Sequence, residues 1–551
     1  MLLLFAAAVV YFVDLGGSSI WDANEAFYAE TPREMMERGD YVSPTFNYEP
    51  RLNKPVLSYW VVAAFYHVLG VSVGAQRLAI AIGAILMIIA AFHLARISWP
   101  ESLPSEGAKL AGLWAALGIA VSPRHVMFGR RIFIDIYISM FMAMTLLCFA
   151  LSERYPTRRR LFLALMYVAV GLGVLTKGPA FALLPGLVFA VYLAAHRELR
   201  RITEMMIPAG IVIVLAIVVP WYAAQYARHG WTYIVSFVVG ENLARYTEGL
   251  GVNADRAFWF YVPVVFTDAF PLSILAVAAA IWWFRDRGAG MQTDPSYRIR
   301  SLLWIWIMVI VGFFSISAAK QDLYIYPVVP AVTALAGVAI ARFAAGDRSS
   351  PRQALVVTTM VTGGVLLALG IGVLFLLNRA DSAYSLQGIA TIGGLAIVGG
   401  ALTVMLATRQ GIQTGLVALC VTLAAINWTF VVRTLPSFEA YKPVPGFARE
   451  LNSRATAEEV VATYNIALPS LVFYLHRHVE MAYDPAPIRT FLDDERTAYV
   501  IMSRDDYAAI DAVTDRPTCI VSTQPTFNVK LRDVLSRQPV PDLVLVTNRC
   551  N

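Results

Sequence analysis

The sequence predicts an all-α polytopic membrane protein that ends in a small α/β domain. Three observations carry this: a surplus of apolar residues, long apolar runs through most of the chain, and a change of character near Pro445. Of 551 residues, 58% are hydrophobic and 15% charged, with a mean hydropathy of +0.61. Soluble domains carry roughly 45–50% apolar and about 25% charged residues. A larger core cannot absorb the difference, because cores stop growing beyond about 250–300 residues. An ordinary soluble enzyme, a disordered chain and a disulfide scaffold are therefore excluded. The net charge of +6 is scattered between apolar blocks, which argues for membrane lipids as the medium and against nucleic acid.

A span needs about 20 apolar residues. Thirteen runs read as transmembrane: 1–14, 76–97, 110–122, 132–152, 160–175, 179–195, 205–223, 260–283, 302–317, 324–341, 354–377, 386–407 and 411–432. The third is short, and Lys177-Gly178-Pro179 divides the 160–195 region into two. The first run has neither a basic start nor a small-residue cleavage site, so it reads as an uncleaved anchor. The domains are then 1–432, a membrane domain with a large first outer loop at 15–75, and 433–551, a soluble tail.

Alternating the spans places the linkers 98–109, 153–159, 196–204, 284–301, 342–353 and 408–410 on one side. They carry Arg154, Arg158, Arg159, Arg197, Arg200, Arg201, Arg285, Arg287, Arg298, Arg300, Arg342, Arg348 and Arg352. Excess arginine marks the cytoplasmic face of a plasma (inner) membrane. The first loop, the loop 224–259 and the tail then face the periplasm or exterior. The short outer linker 123–131 breaks the rule with Arg124, Arg130 and Arg131. Either these are tolerated charges on lipid headgroups, or their forked guanidinium groups grip phosphate oxygens.

In the tail, β-like runs at Glu459–Tyr464, Leu471–Leu475, Tyr499–Ser503, Cys519–Ser522 and Leu543–Thr547 alternate with helical stretches such as Asp505–Val513. That alternation reads as α/β. Cys519 and Cys550 are candidates for a disulfide in an oxidising compartment. No CxxC or Cys/His spacing calls for zinc.

The first loop is the densest polar stretch. Asn24 reads as the N-cap of a helix with Glu25, Phe27 and Tyr28 in its first turn. A helix lying on the membrane surface explains much of this, yet Asp22, Glu25 and Glu30 crowd against the lipid boundary, where unpaired acids are costly. Lys54-Pro55 opens a short apolar helix at 56–70, read as interfacial or re-entrant, which includes Tyr59. Asp135 lies one turn below the basic linker and either pairs with Arg130 or Arg131 or serves chemistry. Lys177 either snorkels to the interface or holds a phosphate. Asp268 lies near the outer end of its span, and Lys320 with Asp322 forms an outer turn in which mutual pairing is the plain reading. All of these charges fall at the outer leaflet. That pattern fits an outer-face site fed by an amphipathic lipid with a charged head.

Taken together, these residues resemble the bacterial branch of the protein O-mannosyltransferase superfamily, which includes the lipid A aminoarabinose transferases. The matching pieces are Asn24–Glu30, Arg33-Glu34-Met35, Gly39-Asp40-Tyr41, Asn53–Trp60, Arg77-Leu78, Asp135, Thr176–Pro179, Phe258–Pro263 and Lys320–Pro327. The resemblance implies a type-C glycosyltransferase that uses a polyprenyl-phosphate sugar. It implies phosphate-binding cations among Lys54, Arg124, Arg130, Arg131, Lys177 and Lys320, substrate contacts from Asn24, Tyr28 and Tyr59, and inversion at the anomeric carbon. The family's loop motif begins Asp-Glu, and here Asn24 replaces that aspartate. The base is then Asp22 or Glu25, with Asp135 as a third candidate, or none is needed because an acceptor phosphate is already ionised. The acceptor is a lipid, a glycan or a protein. No cofactor is required by the sequence, and no ligand spacing demands a metal, although acids cluster where a divalent ion could sit. A transporter or lipid flippase and a non-catalytic envelope scaffold are the competing readings. An inverted repeat that would favour transport is not evident.

Overall fold

The structure is a computed structural model and describes residues 1–131, 134–235, 237, 256–285, 294–347, 352–377, 384–527 and 540–550. Arg287, Arg348 and most of the loop 224–259 lie outside them.

The membrane domain opens with a short helix α1 (Leu2–Val9), followed by the first-loop helix α2 (Asn24–Arg38). A hairpin of β1 (Thr45–Phe46) and β2 (Glu49–Pro50) leads into α3 (Leu57–Leu69). The bundle proper begins with α4 (Val73–Ile97), α5 (Glu106–Ala120), the short α6 (Pro123–Gly129), α7 (Ile134–Arg154), α8 (Arg159–Lys177), α9 (Ala180–Ala195) and α10 (Ile207–His229). Among the described residues nine helices are long and apolar enough to span, or eleven when each of two bent pairs counts once. These correspond to eleven of the thirteen apolar runs; Leu2–Val9 and Ala180–Ala195 are helical but short, so thirteen is not the count by this measure. The bent pairs, Glu106–Ala120 with Pro123–Gly129 at 67° and Phe258–Asp268 with Leu272–Phe284 at 110°, break at Pro123 and Pro271. Proline cannot continue the helical ladder and forces such turns.

The span Asp322–Ala344 is 89% buried, whereas Ile207–His229 is 11% buried. The first is therefore the centre of the bundle and the second is a lipid-facing rim. Close approach at the centre needs small residues. A Cβ on Gly337 would lie 2.5 Å from the Ala111 carbonyl oxygen of α5. Many of the expected arginines gather at the end of the bundle away from the tail. There Arg201 lies 2.8 Å from Glu153 and from Glu198, and Arg298 also pairs with Glu198.

The tail is a mixed five-stranded sheet in the order β4-β3-β5-β7-β6. Its strands are β3 (Val460–Tyr464), β4 (Glu480–Ala482), β5 (Ala498–Ser503), β6 (Cys519–Pro525) and β7 (Asp542–Thr547). β3 pairs in parallel with β4 and β5, and β7 antiparallel with β5 and β6. Alternation along β5 builds two apolar layers. Tyr499 and Ile501 pack with Val444, Phe447 and Leu471 on one face; Val500 and Met502 pack with Ile488 and Ile510 on the other. Cys519 and Cys550 are disulfide-bonded. One expectation is corrected: the run at Leu471–Leu475 is a helix, Ser470–Leu475, and a strand at Glu480–Ala482 was not foreseen. A five-residue apolar run has no period that separates a buried helical turn from a strand.

Candidate functional site

The charged residues of the first loop are largely engaged with one another. Glu25 is 2% exposed and meets Arg77, also 2% exposed, at 2.6 Å. Arg77 further donates to the carbonyl oxygens of Leu15 (2.9 Å), Ser18 (2.7 Å) and Ser19 (2.9 Å). Burial would raise the pKa of Glu25, but the Arg77 charge and hydrogen bond overcome it and hold the carboxyl below its usual range. Its second oxygen accepts from the Trp21 N–H at 2.8 Å. Asn24 is thus not the cap expected: it is the first residue of α2, Ala23 occupies the cap position, and Glu25 reaches back over the helix start.

Asp22 turns away from the bundle. Its two oxygens accept from the backbone N–H and the hydroxyl of Ser470 in the tail, both at 2.7 Å. The residue as a whole is exposed, while its carboxylate is held by Ser470. Desolvation lifts its pKa to about 6, against the lowering by the Ser470 hydrogen bonds. Glu30 grips Arg33 with both oxygens. Glu34 accepts from Thr45 and from the Tyr48 N–H, and burial pushes its pKa up to about 7.

Three further charges act electrostatically on Asp135, in the first turn of α7. The positive charges of Lys177 and Lys54 and the negative charge of Asp322 all act on this carboxylate. It does not pair with Arg130 or Arg131. Lys177 ends α8 because Gly178 takes φ +105°, a conformation open to glycine, and Pro179 then caps the start of α9. The Lys177 ammonium stands 5.4 Å from the centre of the Tyr324 ring. Asp322, just upstream, pairs with Arg124 and not with Lys320. Arg124 also makes a 2.7 Å charge contact with the fully buried Asp268. Lys320 is 7% exposed and donates to the Ser317 carbonyl oxygen at 2.8 Å.

A cavity of about 200 Å³ is lined by residues close to these in sequence. It lies between α3, α4, α7 and α8 and is lined mainly by apolar side chains, with Ser58, Tyr137 and Thr176 among them. Ser58 is four residues from Lys54, Tyr137 two from Asp135 and Thr176 one from Lys177. An apolar groove thus runs to the segments that carry two ammonium groups and a carboxylate.

Several expected phosphate ligands are used elsewhere. Arg130, 5% exposed, donates to the carbonyl oxygens of Val10 and Asp14. Arg131 stacks 4.5 Å above the Trp21 ring, which Lys442 approaches to 4.1 Å. Arg124 is bound by two acids. Tyr28 and Tyr59 stack on each other with centroids 5.5 Å apart, and Tyr59 accepts from Arg51 at 3.2 Å. No local pattern marks Asn47 and Ser470, whose partners lie more than 400 positions away. Among the described residues no cluster of His, Cys, Asp or Glu could hold a metal ion.

The family model of dolichyl-phosphate-mannose-protein mannosyltransferases matches residues 53–223. A protein of Aquifex aeolicus (strain VF5) is 30% identical over 335 residues, 60% of this chain and 62% of that one. An undecaprenyl phosphate-alpha-4-amino-4-deoxy-L-arabinose arabinosyl transferase of Pseudomonas aeruginosa (strain LESB58) is 29% identical over 381 residues, 68% of this chain and 64% of that enzyme. The matched region thus spans less than two thirds of these relatives. The fold is that of ArnT from Cupriavidus metallidurans, solved apo and bound to undecaprenyl phosphate. The bound form gives a TM-score of 0.77 at 23% identity, covering 100% of this chain and 98% of that one. Residues 53–223 are thus similar to the dolichyl-phosphate-mannose-protein mannosyltransferases, about two thirds of the chain is similar to aminoarabinose transferases, and the fold is shared with ArnT.

Proposed function

We propose that this chain moves a sugar from a polyprenyl-phosphate donor to an acceptor at the extracytoplasmic face of the plasma membrane. The observation that carries the reading is the apolar groove lined by Ser58, Tyr137 and Thr176, on the segments that also carry Lys54, Asp135 and Lys177. A polyprenyl chain is apolar and its head is a phosphate, so one ligand satisfies both ends of that arrangement. The relatives that act on undecaprenyl-phosphate aminoarabinose support the donor class. The arginine-rich end of the bundle supports the orientation.

In this reading the donor phosphate lies between Lys54 and Lys177, and its chain follows the groove between α3, α4, α7 and α8. The acceptor oxygen attacks the anomeric carbon, the bond from that carbon to the phosphate oxygen breaks, and the polyprenyl phosphate leaves with the negative charge. The two ammonium groups stabilise that charge as it develops. Asp135 orients the acceptor and takes its proton when the acceptor is a hydroxyl; an acceptor phosphate brings no proton to remove. Asp22 and Glu25 hold the loop, one against the tail and one against Arg77. Tyr28 and Tyr59 form the wall of that loop, and Lys320, Arg124, Arg130 and Arg131 shape the surroundings. The reading needs no cofactor and routes no step through a metal.

Mass spectrometry of envelope lipids, glycans and proteins tests it, comparing cells with the gene, without it, and with Asp135→Asn. The expected result is a sugar mass that disappears with the gene and with Asp135→Asn at normal protein levels. That mass also identifies sugar and acceptor. An unchanged envelope under expressing conditions overturns the transferase reading in favour of a transporter or a scaffold.

A further inference from the structure

The tail domain grips the first loop at two places, one on each side of α2. Before the helix, Lys442 donates to the Ser19 carbonyl oxygen at 2.7 Å, the Ile20 N–H donates to the Tyr474 hydroxyl at 2.9 Å, and Asp22 holds Ser470. After the helix, Asn47 is buried against Val479. Its amide nitrogen donates to the Val479 carbonyl oxygen at 2.8 Å, and its amide oxygen accepts the Val479 N–H at 2.9 Å. One side chain thus satisfies both backbone groups next to β4. The Tyr48 hydroxyl donates to the His476 carbonyl oxygen at 3.0 Å.

The second grip is made by a turn that its own residues do not favour. Asn47 and Tyr48 have φ +58° and +62° and are the two turn residues of the β1–β2 hairpin. Such a turn wants Asn followed by Gly, and a tyrosine there is strained. It persists because its neighbours over-determine it: the Tyr48 N–H bonds Glu34 of α2 at 3.1 Å, Arg33 donates to the Tyr48 hydroxyl at 3.0 Å, and the tail takes the rest. Directly downstream Arg51 lies 4.0 Å above the Phe27 ring and bonds Tyr59, and Lys54 follows.

We propose that the tail domain is a positioning element for the reaction and that Asn47 is the positioning residue through which it acts. This rests on the function proposed above. Docking of Asn47 on Val479 fixes the hairpin, the hairpin fixes α2 through Glu34 and Arg33, and the same strand leads three residues beyond Arg51 to Lys54. A tail serving acceptor capture alone would not need a buried two-bond contact to this turn.

The test uses the full-length protein in lipid nanodiscs, with Asn47→Ala and the conservative Asn47→Asp, which keeps the oxygen that accepts from Val479. Hydrogen exchange over residues 20–54 and turnover of an undecaprenyl-phosphate sugar are both read. Two net hydrogen bonds correspond to about a thirtyfold rise in local opening, so Asn47→Ala is expected to speed exchange by that factor. It should lower kcat at least tenfold per folded molecule while the donor KM stays within threefold. Asn47→Asp should fall between. A merely structural defect would reduce the amount of folded protein and leave kcat per folded molecule unchanged. Unaltered exchange, or altered exchange with unaltered kcat, overturns the proposal. If Asn47→Ala does not fold, Asn47→Asp carries the same two outcomes. A wild-type protein without transferase activity refutes the proposed function, and unaltered exchange then still decides against the docking.

Discussion

The exchange Glu25→Gln keeps the shape of the side chain and removes the charge that faces Arg77. Both partners are almost wholly buried and stand 2.6 Å apart. At an effective dielectric of about 20 the gross attraction at that distance is roughly 6 kcal/mol, and breaking a buried pair from one side costs about 3–5 kcal/mol, because the remaining charge is left uncompensated. Arg77 keeps its bonds to the carbonyls of Leu15, Ser18 and Ser19, which places the expected loss near the lower end. Chemical unfolding of the detergent-solubilised protein measures it. Exchange of Glu25 and Arg77 together to glutamine closes a double-mutant cycle, and the double variant should lose less than the sum of the single ones. The Glu25 pKa is depressed, so its contribution is present above the unfolded value of about 4.5. It is lost as pH falls through the native value, and Glu25→Gln should flatten that acid limb. Wild-type stability in Glu25→Gln, with turnover lost by a thousandfold, would refute the reasoning and make Glu25 the base.

Lys177 and Asp135 should separate in kinetics. If Lys177 binds the donor phosphate as proposed, Lys177→Met should raise the donor KM roughly ten- to hundredfold; Lys177→Arg should restore part of it. Asp135→Asn should lower kcat by about 10²–10⁴ for a hydroxyl acceptor, with the donor KM nearly unchanged. Burial raises the pKa of Glu34 to about 7, so stability associated with it is present below about 4.5 and is lost as pH rises to 7. Thermal unfolding across that window should fall in the wild type by up to about 3 kcal/mol more than in Glu34→Gln; equal slopes would contradict this.

Much of the membrane domain was legible because lipid leaves few choices. A chain in hydrocarbon must satisfy its backbone internally, so long apolar runs become helices. The run Val73–Ile97 could hardly be anything else. The tail was less legible where local pattern is weak. Leu471–Leu475 is apolar on every side because it packs between the sheet and the first loop, and no period reveals that. The site divided in the same way. Asp135 and Lys177 could be singled out because ionisable groups at a membrane boundary are costly without a task, and Lys54 through the family resemblance. That the two lysines act on Asp135 could not be read, since the three come from a loop, a helix start and a helix end. Arg130 drew notice for the same reason as Lys177, yet it ties the chain after α1 to the bundle. Residue type points to a cost, and only geometry says what offsets it.

That distinction also accounts for the amide at position 24. The first turn of α2 already holds Glu25, and Asp22 stands two residues before it. Asn24 is exposed and forms no side-chain cap bond. A third carboxylate there would gain from the helix N-terminus by about 0.3–1 kcal/mol, but it would sit beside two acids already committed to Ser470 and Arg77. Asp135, by contrast, has Lys54 and Lys177 acting on it, and Tyr137 of the same helix lines the groove. On the proposed function a carboxylate beside a phosphate ester needs cations to offset the repulsion; Lys54 and Lys177 act on Asp135, whereas Arg77 and Arg131 beside position 24 are engaged with Glu25 and Trp21. On that function the loop helix carries an amide at position 24 and still serves as the wall that the tail domain holds in place.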